Sequence, residues 1–116
     1  MMRTEASGVG SCEWTKGPKG PLDGYWPIED YGLIGNRHAA ALVNRAGSID
    51  WLCWPRFDSP SIFAAILDPD KGGDWAIHPT SEFKSDHRYL KDTNILETVF
   101  TCAQGKVALL DFMDMT

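Results

Sequence analysis

Carboxylates are the residues of this sequence with the plainest capacity for chemistry: Glu29 beside Asp30, then Asp50, Asp58, Asp111 and Asp114. Hydrolysis of a glycosidic bond, for one, places two carboxyl groups across the scissile bond. Sequence spacing sets no distance between such groups, and Asp is a default turn residue because its side chain bonds nearby backbone. They read first as turn caps and solvated strand edges. His38, His78 and His87 lie far apart and form no HxH or HExxH pattern, so neither a metal nor a cofactor is expected. No G-x-S-x-G nucleophile elbow is present. Gly8-Val9-Gly10 and Gly72-Gly73 lack phosphate-loop spacing.

The densest constellation is residues 47–63, GSIDWLCWPRFDSPSIF, which sets Trp51, Trp54, Arg56, Phe57 and Asp58 around a corner at the end of a strand. Aromatic rings cover the apolar faces of pyranose rings, and charged groups hold sugar hydroxyls. The competing reading is packing, with Trp51 and Phe57 in a core and Arg56 paired with Asp58 to brace the corner. Trp54, Arg56, Phe57, Asp58 and Ser59 are the candidates for a domain interface or a substrate rim. No catalytic residue and no metal ligand is assigned.

The elements that must position this corner read as short strands joined by turns. Tyr31 to Ile34, Ala39 to Val43 and Ser48 to Trp54 are apolar runs, the last two separated by Asn44-Arg45-Ala46-Gly47, a hairpin turn in which Gly47 is free to take positive φ. Along the third run, Ile49, Trp51 and Cys53 alternate with Asp50, Leu52 and Trp54, so the two sets are expected on opposite faces. Ser59-Pro60 is a helix-start signal, and Ile62, Phe63, Ile66 and Leu67 then fit one helical face, which predicts a short helix near residues 59–67. Asp74 to His78 reads as a further strand. Ile95 to Cys102 and Lys106 to Phe112 read as a hairpin about Ala103-Gln104-Gly105. Residues 1–24, rich in Gly and Pro, read as a flexible tail.

The fold class is therefore all-β, an antiparallel sandwich with that one helix. It shows fewer strands than the roughly seven of a sandwich of about 100 residues, and its last strand runs into the C-terminus. The chain is expected to be cut off in mid-sheet, with KVALLDF left as an unpaired, aggregation-prone edge.

Length and composition limit the function classes. With 116 residues there is room for one domain. A net charge of -5 with dispersed Lys and Arg argues against nucleic-acid and anionic-membrane partners. No run approaches the roughly 18 apolar residues of a membrane span. Cys12, Cys53 and Cys102 match no zinc or disulfide framework, so Cys53 and Cys102 are expected as small core residues in a reducing, cytoplasmic setting.

Residues 28–67, IEDYGLIGNRHAAALVNRAGSIDWLCWPRFDSPSIFAAIL, closely resemble the opening of bacterial and archaeal glycoside hydrolase family 15 proteins, glucoamylase-like and trehalase-like. RYLKDTNILETVF and V-LLDFM follow in the family's order, so the resemblance covers about residues 25–116. Trp54 departs from it, standing where a smaller apolar residue is expected. The resemblance implies an incomplete β-super-sandwich, the N-terminal part of a trehalase-like domain that precedes an (α/α)6 catalytic barrel. It implies inverting hydrolysis of an α-glucoside by two carboxyl groups that lie in the barrel. On that reading the partners are the barrel of the same full-length chain and its α-glucoside substrate, and this chain is a support-domain fragment that is inactive alone. The alternatives are a free-standing carbohydrate-binding or interaction module, or a non-functional truncated gene product.

Overall fold

The computed structural model describes residues 2–9 and 19–115, with side chains described from residue 19 onward. The strands are β1 (Met2–Val9), β2 (Tyr31–Gly35), β3 (Ala40–Asn44), β4 (Ser48–Cys53), β5 (Ser61–Phe63), β6 (Trp75–Ala76), β7 (Phe83–Tyr89), β8 (Leu96–Cys102) and β9 (Gly105–Met113). They form two antiparallel sheets. One runs β1-β9-β8-β7; the other runs β2-β3-β4-β5, with β6 also paired to β4. The all-β sandwich expected from the sequence is what forms.

The core lies between the sheets. Ile34, Ala41, Val43, Ile49 and Leu52 of the second sheet meet Leu96 and Met113 of the first. Phe100 and Leu109 are buried in the same first sheet, and Phe83 meets Phe100 edge-on with ring centroids 5.1 Å apart. Close approach of the sheets depends on small residues. At Gly32 a Cβ would stand 2.7 Å from Leu96 Cδ2. The β3–β4 turn is built by Asn44, whose Oδ1 accepts from the N–H of Ala46 at 2.8 Å and of Ser48 at 3.2 Å. Gly47 takes φ +81° there, as its place in the turn predicts.

The strict alternation expected along β4 breaks. Val43 pairs with Ile49 while Leu42 pairs with Trp51, so Asp50 is an extra residue in a bulge. Ile49 and Leu52, three apart, therefore both join the core.

No helix forms at residues 59–67. Ser61–Phe63 instead pairs with β4, Leu52 opposite Phe63 and Cys53 opposite Ser61. The chain then turns, held by Ala64 N–H to Gly72 O at 2.9 Å and Ile66 N–H to Asp50 O at 3.0 Å. The apolar spacing of Ile62, Phe63, Ile66 and Leu67 suits a strand running into a turn as well as it suits a helix. Tertiary pairing to β4 decides between them.

The tail expected over residues 1–24 is also corrected where it is described. Met2–Val9 is a full strand on β9, and Gly20 with Gly24 and Leu22 with Tyr25 form bridges. Cys12 and Trp14 lie outside the described residues. Because β1 covers β9 on one side and β8 on the other, KVALLDF is an interior strand, not an open edge. Strand β7 escaped the sequence reading because its composition, FKSDHRY, is polar. It is an edge strand whose outward Lys84, Asp86 and Arg88 are exposed, a common way of keeping an edge soluble. Cys53 is buried and free, but Cys102 is disulfide-bonded, so only one of the expected core thiols is one.

The free edge of β2 is closed by side chains from the other sheet. The Tyr89 hydroxyl accepts from Leu33 N–H at 2.8 Å and donates to Leu33 O at 2.7 Å. Asn94 Nδ2 donates to Gly35 O at 3.0 Å.

Gly47 and Gly73 both sit at φ +81°, but a Cβ on Gly47 would lie 2.3 Å from Ile77 O and 2.8 Å from Phe100 Cζ, whereas one on Gly73 would meet nothing within 4 Å. Gly73→Ala is expected to cost only the strain of the left-handed region, about 1–2 kcal/mol. Gly47→Ala adds overpacking of about 1–3 kcal/mol. Urea unfolding of the two variants should rank them in that order.

Candidate functional site

The corner singled out in the sequence is a single exposed turn at the end of β4. It starts at a cis Trp54–Pro55 peptide bond. The Arg56 N–H donates to Ser59 Oγ at 3.1 Å, and the Ser59 N–H donates to Arg56 O at 3.1 Å. Ser59 thus holds the turn shut, which is why Ser59-Pro60 caps no helix. The Phe57 N–H donates to His38 O at 2.9 Å and ties the corner to the β2–β3 loop. In that loop Arg37 is held at φ +74°, where a residue with a Cβ costs about 1–2 kcal/mol.

The five candidates therefore share one turn but not one role. Trp54 is half-buried and packs against the core beside Phe63. Ser59 is structural. Arg56, Phe57 and Asp58 face solvent, Phe57 with 61% of its surface exposed. The bracing pair expected between Arg56 and Asp58 does not form among the described residues, whose ion pairs are Lys19–Asp70, Arg45–Asp30 and Arg88–Glu97. Phe57 is not core. Next to the corner, Leu52, Trp54, Ile62 and Phe63 line an apolar depression of about 270 Å³. An exposed aromatic, two uncommitted opposite charges and an apolar hollow make a surface suited to docking another folded unit. It encloses no pair of carboxylates.

A second assembly centres on Asp50, a carboxylate expected from the sequence at a turn or a solvated strand edge. This carboxylate is 5% exposed. Its Oδ2 accepts from Tyr31 Oη at 2.7 Å and Asn44 Nδ2 at 2.9 Å, and its Oδ1 accepts from Ser48 Oγ at 2.6 Å. Strands β2, β3 and β4 each supply a donor because the bulge turns Asp50 toward them. Ser48 Oγ is also 3.0 Å from Asp74 Oδ2. The signal in the sequence was N-x-x-x-S-x-D, polar groups inside otherwise apolar strands. Burial pushes the Tyr31 phenol above its ordinary value, and its bond to Asp50 adds to the rise. Burial, then the charge of Arg45, holds His87 below the ordinary histidine value. Among the described residues no group of three or more His, Cys, Asp or Glu is placed to hold a metal ion, and no helix is long and apolar enough to cross a membrane.

A family model described as trehalase-like, N-terminal matches residues 13–116. A trehalase of Thermoplasma volcanium is 44% identical over 96 residues, covering 79% of this chain and 15% of that protein. Trehalase 1 of Sulfolobus acidocaldarius is 46% identical over 87 residues, covering 74% and 15%. A trehalase of Mycolicibacterium smegmatis is 39% identical over 90 residues, covering 77% and 13%. The chain therefore spans 13–15% of the length of these curated relatives. No solved structure gives a significant match.

Asp50→Ala would leave Tyr31 and Asn44 without their acceptor, while Ser48 could turn to Asp74, and is expected to cost about 2–5 kcal/mol, read by denaturant unfolding. Tyr31 gives a pH signature. Its proton is held more tightly in the folded than in the unfolded chain, so its contribution is full below about pH 10 and is lost as the pH rises past that value. Tyr31→Phe should flatten that alkaline loss.

Proposed function

The chain belongs to the trehalase-like, N-terminal domain family, and on that premise we propose that it is the β-sandwich support domain of an inverting α-glucoside hydrolase. The carrying observation is coverage: the family match takes in nearly the whole chain, while the chain accounts for only 13–15% of each related trehalase. The hydrolytic pair, one carboxylic acid to protonate the leaving oxygen and one carboxylate to activate water, belongs to the catalytic barrel of the longer protein. The carboxylates of this chain support that division. Asp50 is fully engaged by its donors, Asp58 stands exposed on a turn, and Asp111 is buried in β9 of the opposite sheet. Asp50 and Asp74 do share one cavity, on either side of Ser48 Oγ, but Asp50 is already engaged by Tyr31, Asn44 and Ser48.

The role of the domain is positional. The corner Trp54, Arg56, Phe57, Asp58 and Ser59 meets the barrel near the rim of its pocket, with Phe57 and the apolar hollow supplying buried area and Arg56 and Asp58 supplying orientation. A cytoplasmic setting belongs to the same proposal. It rests on the free, buried Cys53; the disulfide at Cys102 argues the other way. A thiol count on protein from its own cells tests the setting: every cysteine reduced would support the cytoplasm, and a protected pair, as at Cys102 in the structure, would place the protein in an oxidising compartment.

Glucose release from trehalose and maltose tests the main proposal. Activity is expected only when the chain is continued through its downstream reading frame; activity in the 116-residue chain alone would overturn it. In the continued protein, Arg56→Ala or Asp58→Ala should remove about 1–2 kcal/mol of domain docking, read as a lower melting temperature or slower turnover. No change in either quantity for both variants would sink the assignment of the corner.

A further inference from the structure

Beside the Asp50 network lies a cavity of about 170 Å³, walled in part by Trp26, Tyr31, Ser48, Asp50 and Asp74. Its hydrogen bonding does not close on itself. Ser48 has one hydroxyl proton, yet its Oγ lies 2.6 Å from Asp50 Oδ1 and 3.0 Å from Asp74 Oδ2. The shorter contact takes the proton, so the nearer Asp74 oxygen meets a hydroxyl lone pair. Asp74 accepts from no other donor among the described residues, and the Trp26 indole N–H donates to no acceptor among them. Lys19, exposed and paired with Asp70, also lines the cavity.

The cavity thus holds an acceptor without a donor, Asp74, and is lined by Trp26, whose indole N–H has no acceptor among the described residues, and by Tyr31. A cation would serve Asp74 but not the indole N–H. An alcohol serves both, because one hydroxyl donates to the carboxylate while another accepts from the indole. The volume lies below the roughly 300–1,000 Å³ of pockets for drug-sized ligands, which limits the ligand to a single ring. We propose that this cavity binds one hexopyranose unit, separately from the Trp54–Ser59 corner, with Asp74 and Trp26 as its polar anchors. The choice of a sugar among polyols rests on the α-glucoside reading above.

The test is an NMR titration of the 116-residue chain with glucose, and in parallel with trehalose, following the tryptophan indole N–H signals. The Trp26 signal should shift saturably with a Kd on the order of 1 mM, and the Trp75 signal, on β6 outside the cavity, should not. Asp74→Asn and Trp26→Phe should each weaken binding about tenfold, one lost hydrogen bond's worth. Two variants guard against one of them failing to fold. The proposal is overturned by no saturation up to about 100 mM sugar, by equal shifts at Trp75, by unweakened binding in both variants, or by a saturable Trp26 shift with calcium chloride and none with sugar. Failure here stays distinct from failure of the support-domain reading. Glucose release by the continued protein with no sugar binding at Trp26 overturns only the cavity. Sugar binding at Trp26 with no glucose release by the continued protein leaves the cavity standing and overturns the other.

Discussion

A buried carboxylate has to be surrounded by donors, and in this domain that requirement at Asp50 organises the second sheet. Taking a carboxylate out of water costs several kcal/mol unless hydrogen bonds replace its hydration. Tyr31 from β2, Asn44 from β3 and Ser48 from β4 provide them. The backbone carbonyl of the same residue takes the N–H of Ile66 and so anchors the turn that follows β5. Asn44 also shapes the β3–β4 turn with its other side-chain atom. One residue in a bulge therefore links three strands, a hairpin turn and a long loop.

The apolar core and this polar hub divide the work between the two faces of the second sheet. The bulge lets Ile49 and Leu52 both face inward, where they meet Leu96 and Met113, while Asp50 turns to the hub. Close packing of the sheets then relies on glycines where a methyl group would collide, Gly32 against Leu96 and Gly47 against Phe100. The exposed edge of β2 is closed by Tyr89 and Asn94 from the first sheet, so the sheets are joined by hydrogen bonds at their rim as well as by packing between them.

The same architecture separates structural from available groups at the proposed contact surface. Trp54 and Ser59 are consumed in holding the corner, by core packing and by closing the turn. That leaves Arg56, Phe57 and Asp58 free to meet something else. Clustering in the sequence was enough to bring these residues to attention together, because five of them lie within one turn. It could not sort the braces from the contacts, since that depends on His38, Phe63 and the core, which lie elsewhere in the chain.

What the sequence determined by itself is whatever is encoded within a few neighbouring residues. Gly47 at positive φ, the hairpin between β8 and β9, the alternating runs of β2 and β3 and the family signature from Ile28 to Leu67 all rest on local chemistry. What only the tertiary structure decided is whatever depends on distant partners. Whether residues 61–67 coil or extend was settled by β4; whether residues 2–9 trail or pair was settled by β9; whether FKSDHRY is loop or strand was settled by β8. Asp50 follows the same rule. As a residue type it is at home on a surface turn, and only the convergence of three strands, each bringing a donor, makes its burial possible. Backbone preferences of neighbouring residues differ by about 1 kcal/mol, and pairing and burial between distant segments outweigh them.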